Sequence, residues 1–125
     1  MLRFALASMV LFGCADKKSD PSPQQTPSSS PAAQEARNMF NTLCSSCHGQ
    51  SGAGDGPGAA SLNPKPRNYT DKAWQASVTD DDIRRIILEG GLAVGKSQMM
   101  PPSPQLKDKP LVVDELVKIV RSFGQ

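Results

Sequence analysis

Five consecutive residues, Cys44-Ser45-Ser46-Cys47-His48, restrict this chain more than any other feature it has. Two thiols three positions apart on a helical turn lie on one side of that turn, and an imidazole follows at once. Each thiol can add across one vinyl group of a haem to form a thioether, and the next residue then projects its ring beneath the macrocycle to the iron. C-x-x-C-H is therefore read as the attachment site of one covalent haem c. Composition agrees with a fold that needs such a filler. Only 5% of the 125 residues are aromatic, so a domain this small has little with which to fill a core from side chains alone.

Three other readings of the same residues are weaker. Zinc needs four ligands, and the chain offers only Cys44, Cys47, His48 and the distant Cys14, with Cys47 and His48 too close in sequence to serve one tetrahedron easily. A thioredoxin-type redox pair sits at a helix start after a strand, whereas here a helical pattern precedes the cysteines. A structural disulfide is the weakest of the three. A haem also needs a partner on its far side. His48 is the only histidine, which excludes bis-histidine ligation within the chain. Met1 and Met9 lie in the leader described next, and Met39 sits in the first helix near the proximal side. Met99 and Met100 remain, about fifty residues downstream in Gly95-Lys-Ser-Gln-Met-Met-Pro-Pro. Without the haem motif, a methionine pair would be read as core packing; with it, either one is a candidate distal ligand.

Residues 1–14, MLRFALASMVLFGC, read as an export signal: Arg3 gives a positive start, and the largely apolar run from Phe4 to Phe12 is too short to span a bilayer. The ending Leu11-Phe12-Gly13-Cys14 resembles a bacterial lipobox, with Phe12 bulky for its position, and makes Cys14 the expected site of lipidation. The alternative is an ordinary secretory signal that leaves Cys14 an unpaired thiol. Residues 15–31 hold four prolines, five serines and no aliphatic residue beyond Ala15, so they read as a disordered tether. Extended at about 3.1 Å per residue, such a tether spans at most roughly 50 Å. By resemblance to Gram-negative lipoproteins, Ala15 after the lipidated cysteine favours the outer membrane over inner-membrane retention.

Residues 32–125 carry the folded domain, an all-α unit with long Gly/Pro loops. The spacing predicts a first helix starting near Ser30-Pro31, with Ala36, Phe40 and Leu43 on one face, running into Cys44. A second starts at Thr79-Asp80-Asp81-Asp82, buries Ile83, Ile86 and Ile87, and stops at Gly90-Gly91. A third opens at Lys109-Pro110, with Val113, Leu116, Val117, Val120 and Phe123 as its apolar stripe. Between the first two, five of the ten residues from Gly49 to Gly58 are glycine. Their spacing fits neither phosphate-binding pattern, and Asp55 is the only acid between Gly49 and Asn68, too few for calcium. A backbone lying close against something flat is the better reading.

Along residues 34–124 the domain resembles a class I c-type cytochrome. The likeness rests on Cys44-Ser-Ser-Cys-His48-Gly49, Gly-Asp-Gly-Pro at 54–57, Gly90-Gly91 through Ser97, and Met100-Pro101. It implies a monohaem fold of three main helices around the haem, with His48 as proximal and Met100 as distal iron ligand and Met99 as the fallback. Two physical points agree: neighbouring side chains in extended chain face opposite ways, and Met100, preceding Pro101, is held extended. The resemblance also implies an aromatic contact between the first and last helices. Phe40 matches the first-helix aromatic, while Ile119 replaces the partner, leaving a looser contact or one carried by Phe123. A proline carbonyl, from Pro64 or Pro66, is expected to accept the hydrogen bond of the proximal histidine. Trp74, Arg67 and Tyr69 are candidate contacts of the haem propionates.

The expected activity is that of a membrane-tethered one-electron carrier, not an enzyme, since six-coordinate iron offers no open position. Its expected partners are redox proteins, donor and acceptor, themselves membrane-bound, with the protein a monomer anchored by lipid in the bacterial envelope and facing the periplasm. A dedicated haem subunit of an oxidase or reductase is the alternative, and a haem sensor or peroxidase-like protein a weaker one. With 14 Lys+Arg against 12 Asp+Glu, nothing calls for nucleic acid or for strong electrostatic steering. Lys65, Lys72 and Lys96 are candidates to lie near the haem edge.

Overall fold

A computed structural model describes residues 30–125; the signal of residues 1–14 with Cys14, and the tether as far as residue 29, lie outside the described residues. The last two residues assigned to the tether belong to the fold. Ser30 is the N-cap of the first helix, its hydroxyl accepting the Ala33 N–H at 3.1 Å, and Pro31 occupies the first helical position, where its missing N–H has no cost.

Among the described residues there is no strand, and the elements are helices α1 (Pro31–Met39), α2 (Ser45–His48), α3 (Lys72–Ser77), α4 (Asp80–Ala93) and α5 (Pro110–Ser122). A wide π-type turn at Phe40–Cys44 joins α1 to α2, so that one rod runs from Pro31 to His48. The expected starts of α4 and α5 are found. Thr79 and Asp82 form a reciprocal capping box, the Thr79 hydroxyl accepting the Asp82 N–H and the Asp82 carboxylate accepting the Thr79 N–H, each at 3.1 Å. Pro110 is the first residue of α5.

The core is a seam between α1 and α5. Ala33 and Ala36 are small enough to let the two helices approach closely, and both are buried. Val113, Leu116, Val117 and Val120 form the facing stripe at 113, 116, 117 and 120, and Val112 is buried beside them. Each such valine or leucine contributes about 1.5–3 kcal/mol by leaving water. Ion pairs tie the outer edges: Lys109–Glu35 at 2.6 Å between α5 and α1, and Arg84–Asp114 and Arg121–Asp80, each at 2.8 Å, between α5 and α4. Partly exposed pairs of this kind are worth about 0–1 kcal/mol each, so the apolar seam dominates.

The aromatic contact expected between the first and last helices is made by Phe123. Its ring centroid lies 5.4 Å from that of Phe40, while Ile119 stays only partly buried. Helix α3 was not expected. Its local signal is Asp71, whose carboxylate accepts the N–H groups of Ala73 at 3.0 Å and Trp74 at 3.1 Å, an N-cap read from sequence only as loop.

Candidate functional site

The rod ends where the chemistry begins. In the π-type turn the Ser45 N–H reaches back five residues to the Phe40 carbonyl, so one extra residue is accommodated and the inward face advances by one position. Leu43, expected on the buried face with Ala36 and Phe40, is consequently 59% exposed. Cys44 takes the inward place and packs against the core, and Ser45 behind it is buried. Cys44 and Cys47 are both free thiols, each partly buried, one helical turn apart. Burial pushes the Cys44 thiol above its ordinary range.

His48 closes the rod and is 8% exposed. Its Nδ1 lies 3.1 Å from the Arg67 carbonyl oxygen. A carbonyl only accepts, so Nδ1 carries the proton and the lone pair is left on Nε2. The ring face stacks on Tyr69, with centroids 4.5 Å apart and planes 13° from parallel. Burial holds the His48 pKa below its usual value, opposed by the Arg67 carbonyl. The Arg67 contact thus turns Nδ1 to a carbonyl and leaves Nε2 as the nitrogen that could meet a metal. The acceptor is neither Pro64 nor Pro66. The Pro66 carbonyl instead faces Gly54, where a Cβ would sit 2.6 Å from that oxygen, and the next carbonyl along turns to His48.

The glycine loop serves the end of the rod. The Gly49, Gly54 and Gly56 amides donate to the carbonyls of Ser45, His48 and Cys47 at 2.9, 2.8 and 3.1 Å, satisfying acceptors that a helix end leaves open. Only Gly52 lies against a flat group, the ring of Phe123, whose Cγ would be 2.6 Å from an added Cβ. Gly49 faces the Asp55 carboxylate, and the remaining close approaches are to backbone: a Cβ on Gly56 would collide with the Ser45 and Ser46 carbonyls.

The other arm starts at Gly90, whose φ of 79° breaks the helical run of α4 as expected of Gly90-Gly91. The Gly91 N–H donates to the Met100 carbonyl at 2.9 Å, and the Ser103 N–H to the Leu88 carbonyl at 3.2 Å, so residues 97–103 fold back along the end of α4. Met99 is 53% exposed and Met100 only partly so.

The three residues expected near propionates, Trp74, Arg67 and Tyr69, lie together beside His48. Tyr69 is buried against His48 and Trp74. Arg67 lies over the Trp74 ring at 5.6 Å and pairs with Asp71 at 3.7 Å. Of the lysines, Lys65 donates to the Ala59 and Ala60 carbonyls and Lys72 to that of Gly124, while Lys96 is exposed. Sequence reasoning missed Gln75, whose amide donates to the Tyr69 carbonyl at 2.8 Å and the Val120 carbonyl at 2.9 Å. It also missed Arg121, whose guanidinium reaches Asp80, Gln75 and the Val78 carbonyl.

Among the described residues no group of three or more His, Cys, Asp or Glu side chains is placed to hold a bare metal ion. The donor set of two thiols on one turn and one imidazole beside them suits a haem instead. A family model described as Cytochrome c matches residues 33–114. No curated protein and no solved structure gives a match.

Proposed function

The chain belongs to the cytochrome c family, whose members carry electrons on covalently bound haem c, and from that premise we propose that it is a tethered one-electron carrier whose single haem is held by Cys44, Cys47, His48 and Met100. When bound, the haem supplies an iron centre that alternates between ferric and ferrous states. The observation that carries the assignment of residues is His48 itself: buried, with its Nδ1 committed to a carbonyl and its Nε2 left for a metal, and with both cysteines on the turn before it. Those contacts keep the imidazole in one orientation in either oxidation state, which lowers the reorganisation each electron transfer requires. For the distal ligand, Met100 is favoured over Met99 because it is the more buried and its carbonyl is fixed by the Gly91 N–H. The Met100 thioether and the His48 imidazole, together holding the iron, would favour the ferrous state relative to two imidazoles. With His48 and Met100 both holding the iron, the bound haem would leave no site for a substrate, which supports a carrier rather than an enzyme.

Cys14 is proposed as the lipid anchor, placing the domain in the bacterial envelope on its periplasmic side, with the outer membrane favoured by Ala15, where membrane-bound redox proteins would be its donor and acceptor. Cys14→Ser should move the cytochrome from the membrane to the soluble fraction; a wild-type protein already soluble in its host would remove this part. A reductive titration of the purified protein tests the carrier reading. A reversible one-electron change in the visible spectrum, with no binding of exogenous ligands such as carbon monoxide, is expected. High-spin iron that readily takes up carbon monoxide would point to the sensor or peroxidase class instead.

A further inference from the structure

We propose that Gln75 and Arg121 are positioning residues for the His48 imidazole, acting through the segment 67–69. His48 is held in two directions at once, and both restraints come from that short segment. The Arg67 carbonyl receives the Nδ1 proton at 3.1 Å, and the Tyr69 ring lies against the imidazole face at 4.5 Å and 13°. The first restraint fixes the direction of the Nδ1–Nε2 axis. The second fixes rotation of the ring about its bond to the backbone. Together they set the plane of the imidazole, hence the orientation from which its lone pair meets a metal.

Segment 67–69 is outside regular structure and needs its own anchors. One is the Tyr69 N–H, which donates to the Gly52 carbonyl at 2.7 Å. The other is the Tyr69 carbonyl, which accepts from the Gln75 amide at 2.8 Å. That amide donates a second time to the Val120 carbonyl near the end of α5, so Gln75 joins the segment to the helix most deeply packed in the core. Arg121 then holds Gln75. Its Nη1 donates to the Gln75 carbonyl at 2.7 Å and to Oε1 at 3.0 Å, which orients the side-chain amide with its NH2 toward Tyr69. Its Nε pairs with Asp80, and its Nη2 donates to the Val78 carbonyl at 2.7 Å. A planar fork spends its donors on three separate points here, and lysine cannot reproduce that. The chain Asp80–Arg121–Gln75–Tyr69 therefore ends on the face of His48.

The inference rests on His48 being the proximal ligand, and the experiment separates the two ideas. Full-length protein carrying its haem would be prepared as wild type, Gln75→Glu, Arg121→Lys, Tyr69→Leu, Tyr69→Phe and Arg84→Gln. Gln75→Glu keeps an oxygen facing Arg121 but removes the donor to the Tyr69 carbonyl. Arg84→Gln is the control, because it breaks a comparable pair between α4 and α5, Arg84–Asp114 at 2.8 Å, without touching segment 67–69. The readouts are the midpoint potential, the hyperfine-shifted proton resonances of the axial imidazole in the ferric state, and thermal unfolding. Gln75→Glu, Arg121→Lys and Tyr69→Leu should all move the potential and the imidazole resonances in one direction. Tyr69→Phe, which keeps the ring face, should leave them in place, and Arg84→Gln should lower stability alone. If the Glu variant does not accumulate, Arg121→Lys carries the same expectation. Unchanged potential and resonances in folded Gln75→Glu would overturn the inference, as would an equal shift in Arg84→Gln. If instead the wild type shows no axial imidazole resonance at all, the ligand reading fails first.

Discussion

The proximal side of the site, residues 44–69, and the arm from Gly90 to Ser103 are built on different principles. On the proximal side the imidazole is held by several contacts of different kinds. His48 has a hydrogen bond on Nδ1, an aromatic ring on its face, helical backbone behind it, and the Gly54 N–H on its own carbonyl. On the arm the restraint lies mainly in the backbone: the Gly91 N–H on the Met100 carbonyl, the Met100 N–H on the Ser97 carbonyl at 3.3 Å, and the Ser103 N–H on Leu88, with the Ser97 hydroxyl accepting the Met99 N–H at 3.2 Å. The side chains there are exposed or only partly buried, and both prolines after Met100 are exposed. A side chain fixed from several directions is positioned before any ligand arrives, whereas a strap held at its backbone places its side chain only approximately. If Met100 and His48 are the iron ligands as proposed, Met100 is expected to be given up well before His48.

That difference can be broken most directly by adding side chains where each region is tightest. Gly56→Val would drive a side chain into the Ser45 and Ser46 carbonyls on the rigid proximal side, and a loss of about 3 kcal/mol in urea unfolding is expected. Gly91→Val collides with the Ser97 carbonyl, yet that loop can yield, so a smaller loss is expected together with loss of the distal ligand from the spectrum. Equal destabilisation by the two would show the arm to be as rigid as the proximal side. Next in size is the methionine pair. Met100→Ala should remove the weak sulfur-to-iron absorption band and lower the midpoint potential, and Met99→Ala should leave the band in place. The reverse result would shift the ligand by one residue, and equal loss in both would assign the hold to the loop as a whole. Phe123→Leu sharpens the proximal half. It weakens the ring contacts with Phe40 and Gly52 and should cost about 1 kcal/mol while leaving the potential nearly unchanged. The smallest effect concerns the start of α4, which carries the arm. The Thr79 hydroxyl and then its backbone N–H hold the Asp82 carboxyl below its ordinary range. A depressed folded-state pKa adds stability above the unfolded value, and that stability is lost as pH falls through the folded one. Thr79→Ala should lower the melting temperature by a few degrees near neutral pH and flatten its decline in acid.

What could be read from sequence was mostly local. Ser30-Pro31, Thr79 with Asp82, and Lys109-Pro110 mark helix starts because cap and first-turn chemistry is completed within four residues. The haem motif was legible for the same reason. Leu43 went to the wrong face because a π-type turn shifts the phase of a helix by one residue, and nothing in Phe40-Asn-Thr-Leu-Cys announces it. The acceptor for His48 fell on Arg67 and not on a proline, since which carbonyl turns inward is settled by Gly54 packing on Pro66 from elsewhere in the loop. Arg121 and Gln75 lie 46 residues apart, and their pairing exists only once α3, α4 and α5 have met.

The central claim is that Cys44 and Cys47 bind one haem covalently beside His48. Denaturing electrophoresis followed by a peroxidase-type haem stain tests it with the least interpretation, because denaturation releases any haem that is not bonded to the chain. The wild-type band should keep the stain, Cys44→Ala with Cys47→Ala should lose it entirely, and the intact mass should exceed that of the polypeptide by one haem. A wild-type band that washes clear, or a stain that survives loss of both cysteines, would contradict the account.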